Sequence, residues 1–331
     1  MAIKLNEYKI KLPIKIDGSI QNAFLHKDYI AISTDRNIIH VLKMYNKKIE
    51  GPGLSIDSEM KNPKIIISPT LKYLLAISES KDEIKVWNIK NGIKTFECKT
   101  SSAMKHFYTA TFGQAENNTE FLIYNPDKFS IEGYDLQDKK TIFFHETKKI
   151  NPFETTEIIF IDHVNFIIIV GHYFSEMKNS LIAFKMPLMK KDEQTNLKLI
   201  SNISDYAWEI VMGKDNENNV IIYRDSGDDD YDDDDEKPLL MPNKGFYFIS
   251  GESGEIFEKI ESELLIQGKD KISGDYNIVV VTKKEGFYII SRKSINENPT
   301  FYPGRFVSCS LPLIISLDVD DMILVVEVNY C

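Results

Sequence analysis

The sequence predicts an all-β fold, a single domain over residues 1–331 made of about seven like-built four-stranded sheets, with six as the fallback count. Three observations predict it. Almost every apolar segment is short, rich in Ile, Val, Phe and Tyr, and bounded by Asn, Asp, Gly, Ser or Lys, which is the signature of strands and turns. The segments group into units of similar order. Two of them, Gly245-Phe246-Tyr247-Phe248-Ile249-Ser250 and Gly286-Phe287-Tyr288-Ile289-Ile290-Ser291, nearly coincide at a separation of 41 residues. Such a period is expected of a radial array, the β-propeller.

The units can be followed along the chain. In the first, Ala23–Leu25 and Tyr29–Ser33 precede Ile38–Leu42. The second opens at Ser68-Pro69-Thr70 and runs through Tyr73–Ile77, Ile84–Trp87 and Thr95–Cys98. The third holds Tyr108–Phe112, Phe121–Tyr124, Phe129–Tyr134 and Thr141–Phe144, and the fourth Ile158–Ile161, Phe166–Val170 and Leu181–Phe184. The fifth holds Trp208–Val211, Val220–Tyr223 and the first of the two matched hexapeptides; the sixth holds Tyr276–Val281 and the second. The last has only Phe306–Cys309, Ile314–Leu317 and Met322–Val328. The alternating segment Tyr8–Ile14 has no partners of its own, so it is assigned as the outer strand of the last unit, closing the ring and removing an open edge. Helical apolar spacing is nearly absent; Ile256–Leu265 is the nearest candidate.

The second unit carries a family resemblance. Its strand, short polar turn, and strand ending in Trp87-Asn88, followed by the turn at Gly92, resemble one blade of a diverged WD40-type propeller. Trp87-Asn88 stands where that family has Trp-Asp, and Tyr134-Asp135 is a fair match in the third unit. No Gly-His opening is intact, so the family's hydrogen-bonded lock is mostly missing and blade stability is assigned to apolar packing between sheets. The resemblance implies a non-enzymatic scaffold or adaptor that assembles other proteins. The alternative is a propeller hydrolase or lyase with its site at the central channel.

Composition narrows the partners. The 331 residues are 43% hydrophobic and carry a formal net charge of -10. Asp225, Asp228, Asp229, Asp230, Asp232, Asp233, Asp234, Asp235 and Glu236 place nine negative charges in twelve positions, and the remainder is close to neutral. A strand cannot hold such a run, so 225–236 reads as a disordered acidic loop inserted in the fifth unit. Two readings stand for it: a docking arm for a basic protein or peptide, and a solvated insertion without a partner. No dense Lys/Arg patch is legible, so nucleic acid is not the expected partner. EF-hand spacing is not met in the acidic tract.

Chemistry-bearing motifs are sparse. Cys98, Cys309 and Cys331 show neither disulfide nor zinc spacing and fit a reducing, intracellular compartment, cytoplasmic or nuclear. No signal peptide or apolar run long enough to span a bilayer is visible. No P-loop, G-x-G-x-x-G, nucleophile elbow or Ser-His-Asp spacing appears, so no cofactor and no catalytic residues are assigned. His26, His40, His106, His145, His163 and His172 are assigned structural or surface roles, and Trp208, Tyr247 and Tyr288 packing roles. The segment Met186–Gln194 is a longer loop, read as a connector with a modest prospect of partner contact.

Overall fold

A computed structural model of the chain describes residues 3–12, 16–80, 82–99, 109–112, 120–125, 130–138, 140–146, 153–160, 166–173, 178–185, 198–205, 209–215, 219–225, 244–250, 255–262, 264, 266, 270–293, 299–305, 307–317 and 322–330. Among them every regular element is a strand.

The chain begins with β1 (Ile3–Lys11). A first antiparallel meander follows, made of β2 (Ile20–His26), β3 (Tyr29–Thr34), β4 (Ile38–Tyr45) and β5 (Lys48–Asp57). The second is β6 (Lys64–Ile67), β7 (Tyr73–Ile77), β8 (Glu83–Asn88) and β9 (Lys94–Lys99). The third is β10 (Thr109–Phe112), β11 (Glu120–Asn125), β12 (Ser130–Asp135) and β13 (Lys140–Glu146). The fourth is β14 (Phe153–Phe160), β15 (Phe166–Tyr173), β16 (Lys178–Lys185) and β17 (Lys198–Asp205). Then come β18 (Glu209–Asp215), β19 (Val220–Asp225), β20 (Gly245–Ile249) and β21 (Ile256–Glu261), followed by β22 (Lys271–Gly274), β23 (Ile278–Lys283), β24 (Gly286–Ser291) and β25 (Thr300–Pro303). The last strands are β26 (Ser308–Ser310), β27 (Leu313–Leu317) and β28 (Met322–Tyr330).

These strands form an all-β propeller arrangement. Five sheets are discrete and four-stranded, and one has eight strands in the order β21-β20-β19-β18-β22-β23-β24-β25. The number of discrete four-stranded sheets is therefore five, which differs from the seven, or six, expected from sequence. The physical reason lies at Gly213. Inner strands β18 and β22 pair in parallel, Gly213↔Ile272 to Asp215↔Gly274, and merge two meanders into one sheet. A Cβ on Gly213 would lie 2.0 Å from the Ile272 carbonyl oxygen, so only glycine permits that approach.

Where burial is described, as in β3, β7, β20 and β23, the central strands are covered on both faces and are apolar at nearly every position rather than alternating. In β7, Leu74 and Ala76 pack toward Ala31, Ile39 and Val41 of the first meander, while Leu75 and Ile77 pack toward Ala110 and Phe112 of the third. This is the two-residue side-chain period of a strand, with a core on either side. Ile10 of β1 and Leu12 just beyond it join a core with the first meander, and Ile3 and Leu5 of β1 pack against the core that includes Val280 and Phe287. Its partner β28 pairs with it along its whole length, Ile3↔Tyr330 to Lys11↔Met322. The helical candidate Ile256–Leu265 contains strand β21 instead, because outer-strand pairing to β20 uses its backbone.

One element was hidden from the sequence. β5 carries Gly51-Pro52-Gly53, which reads as a turn. Pairing runs Val41↔Leu54 and then Lys43↔Glu50, so these three residues bulge opposite Leu42. Gly53 has φ +69°, and a Cβ there would lie 2.6 Å from the Val41 carbonyl oxygen. An outer strand tolerates the proline, whose missing N–H costs no ladder bond there.

Candidate interaction surface

Neighbouring inner strands run in the same direction. The β18–β22 pairing is parallel. Ser308 Oγ accepts from Leu25 N at 2.9 Å and Ser310 Oγ from Lys27 N at 3.2 Å, so β26 and β2 advance together. One rim therefore collects the turns between first and second and between third and fourth strands. The opposite rim collects the turns between second and third strands and the links between meanders.

The strand ends that flank the acidic tract lie on the second of these rims. β19 ends at Asp225 and pairs with β20 as Val220↔Ile249 through Arg224↔Gly245. The anchoring residues Val220–Tyr223 and Gly245–Ile249 are buried, so the insertion leaves from a rigid hairpin. Asp225 lies opposite Glu209. Asp228, Asp229, Asp230, Asp232, Asp233, Asp234, Asp235 and Glu236 lie outside the described residues, as do Met186–Gln194, Trp208, His106 and His163.

On the other rim, where the two meanders of the eight-stranded sheet meet, sits a buried cation. Arg292 follows β24 and donates from Nη1 to the Asp275 carbonyl oxygen at 2.7 Å and from Nε to Glu258 Oε2 at 3.1 Å. Its Nη2 also donates to Glu258. Nη1 lies 3.5 Å from Asp215 Oδ2, and the guanidinium carbon is 4.0 Å from the Phe248 ring centroid. Asp215 accepts in addition from Asn219 N at 2.8 Å and Asn219 Nδ2 at 2.9 Å. Asp275 Oδ1 caps the β22–β23 turn by accepting from Asn277 N at 2.7 Å and Ile278 N at 3.0 Å, and Asp275 Oδ2 accepts from Tyr330 Oη. Burial, reinforced by Asp275, pushes the Tyr330 hydroxyl pKa up, keeping it a donor. Arg292 thus ties the two meanders of the eight-stranded sheet together with charge-assisted bonds, and Tyr330 joins β28 to them through Asp275. Sequence reasoning missed it: Arg292 is one arginine beyond an apolar strand, and its partners lie 17 to 77 positions away.

A second buried cation joins the first two meanders. Lys85 in β8 donates from Nζ to the Ser58 carbonyl oxygen at 3.0 Å and Glu59 Oε2 at 3.1 Å. Expected packing roles hold for Tyr247, 2% exposed, and for Tyr288, tilted against Phe301 at 4.9 Å. The Cys309 thiol is pushed up to about 12 by burial and is no nucleophile at neutral pH. His40 Nδ1 lies 2.9 Å from Ser55 Oγ. Burial lowers the pKa of both His26 and His40, favouring neutral rings. The backbones of His145 and His172 belong to β13 and β15. Among the described residues no three His, Cys, Asp or Glu side chains converge to hold a metal ion, and no helix is long and apolar enough to cross a membrane.

These features define a β-propeller, and comparison with solved structures agrees. The crystal structure of the computationally designed Ika8 protein matches with a TM-score of 0.54 and 10% identity, covering 96% of this chain and 98% of that one. At that identity the likeness concerns the fold alone. With 1053 chains of solved structures matching, the fold does not single out an activity. No protein-family model matches the sequence, and no curated protein does.

Proposed function

We propose that the protein is a non-enzymatic interaction scaffold of diverged WD40-like type, whose acidic loop docks a basic protein or peptide. The observation that carries the reading is the mounting of the tract. Nine negative charges in twelve positions are inserted between two adjacent, buried strands of the largest sheet. Such an anchor presents a polyanion while the scaffold stays folded, and long-range attraction to a cationic partner raises the rate of encounter. The wider architecture is read in the same way. Counting the eight-stranded sheet as two blades gives seven, and the nine-residue pairing of β1 with β28 is the proposed closure of the ring. A closed ring is a stiff platform with two rims, suited to docking without refolding.

The test is capture of partners from a native lysate, and of a lysine-rich peptide, by the full chain and by a variant lacking residues 225–236. The reading expects basic proteins and the peptide on the full chain and loss of both on the variant. Equal capture by the two proteins refutes the role given to the loop.

A further inference from the structure

The rim opposite the acidic tract has a distinct chemistry. Tyr276 in the β22–β23 turn is 58% exposed, Ile93 in the β8–β9 turn 61%, and Tyr45 at the end of β4 57%. Tyr330 at the end of β28 and Phe257 at the start of β21 are exposed on the same rim. Of the large apolar side chains exposed among the described residues, only Phe301, on outer strand β25, lies elsewhere. Such clustering is not the scatter expected of an inert surface.

Cations accompany them. Lys72 in the β6–β7 turn, Lys90 in the β8–β9 turn and Lys293 beyond β24 are exposed. Lys72 and Lys90 form no ion pair among the described residues. Lys293 Nζ lies 4.7 Å from the Tyr276 ring centroid and donates to Asn277 Oδ1 at 3.1 Å, so cation and ring are offered side by side. The neighbouring carboxylates Asp215 and Asp275 are engaged by internal donors and do not cancel this charge outward. The stretch from Tyr276 to Tyr45 is continuous across sheets: Tyr330 reaches Asp275, and Lys47, beside Tyr45, lies 3.5 Å from Glu327 of β28. The turn that carries Ile93 adjoins the same meander, with Gly92 against Leu54 of β5.

We infer that this rim is a docking surface for an acidic protein segment bearing apolar side chains. Exposed aromatic rings supply the anchoring contacts and the lysines supply attraction and orientation. The strand ends that flank the chain's own polyanion lie on the opposite rim, so its like charge disfavours an acidic partner there and directs it to the lysine-bearing side. The inference rests on the scaffold reading but concerns a different rim and the opposite partner charge, so each can fail alone.

The experiment uses the full chain and fluorescein-labelled twelve-residue peptides, one of glutamates with Phe or Leu at every third position and one with lysines in place of the glutamates. Fluorescence anisotropy is expected to show binding of the acidic peptide at low salt, weakened at least about tenfold at 0.3 M NaCl by screening. The double variant Lys90→Glu, Lys293→Glu is expected to bind it at least tenfold more weakly, and Tyr276→Ser with Ile93→Ser likewise. Lys90→Arg with Lys293→Arg retains binding, and all variants keep the wild-type melting temperature. No binding of the acidic peptide, or equal binding by wild type and charge-reversed protein, overturns the inference. So does binding only to vesicles containing phosphatidylserine, or only to a twenty-nucleotide RNA, since the rim would then serve lipid or nucleic acid.

Discussion

Arg292 Nη1 stands 3.5 Å from Asp215 Oδ2, with the two side chains 3% and 0% exposed, across the junction where two meanders become one sheet. Removing one partner from a buried pair leaves an uncompensated charge. Arg292→Ala is expected to cost about 3–5 kcal/mol. Arg292→Met combined with Asp215→Asn is expected to lose clearly less, because the fully buried carboxylate is neutralised and the one left unpaired, Glu258, is 30% exposed and reached by water. Urea unfolding of the three proteins checks this; equal stability of wild type and Arg292→Ala refutes the lock.

Strand β1 is bound by pairing as well as by packing. Deleting residues 1–12 bares the β28 edge and removes Ile10 and Leu12, each 5% exposed, from the core they share with the first meander. Burial of each such side chain contributes about 1.5–3 kcal/mol. The truncated protein is expected to melt at least about 5 °C lower. An unchanged melting temperature would count against the role given to β1.

Deletion of residues 225–236 should be nearly silent for stability. The tract removes only Asp225 from the end of β19, and the buried residues Val220–Tyr223 and Gly245–Ile249 remain. The expected change is within about 0.5 kcal/mol. A large fall in melting temperature would mean that the tract packs on the fold.

Acid should weaken the fold through its histidines. Burial holds His26 and His40 below their ordinary value of 6.5. As pH falls through about 6.5 the unfolded chain takes up protons that the folded chain does not. The contribution is complete above that value, declines on acidification, and levels off below the depressed folded values. The urea midpoint is expected to be lower at pH 5.5 than at pH 7.5, and less so in His40→Gln. A midpoint independent of pH across this window contradicts the buried neutral state.

Much of the strand pattern was legible because a core on both faces makes strands conspicuous. Tyr73–Ile77 is buried throughout, and the hexapeptides beginning at Gly245 and Gly286 are third strands of their meanders, β20 and β24. Outer strands were harder to see, since one edge is unpaired and polar residues are tolerated. β5 hid behind Gly51-Pro52-Gly53, and β17, Lys-Leu-Ile-Ser-Asn-Ile-Ser-Asp, behind its polar positions. The expectation that apolar packing alone replaces the missing lock was incomplete. Arg292 and Lys85 add polar ties between meanders that no local pattern reveals.

Taken alone, the sequence determined that this protein is all-β, that its apolar units repeat, and that its negative charge is concentrated in residues 225–236. Each follows from interactions short in sequence: side-chain period, turn chemistry and like-charge repulsion. Only the tertiary structure decided that Gly213 fuses two meanders, that Arg292 meets Asp215 and Glu258, and that Tyr45, Ile93, Tyr276 and Tyr330 share one rim. Those relations depend on distances between strands far apart in the chain, which exist only once the sheets have packed against one another.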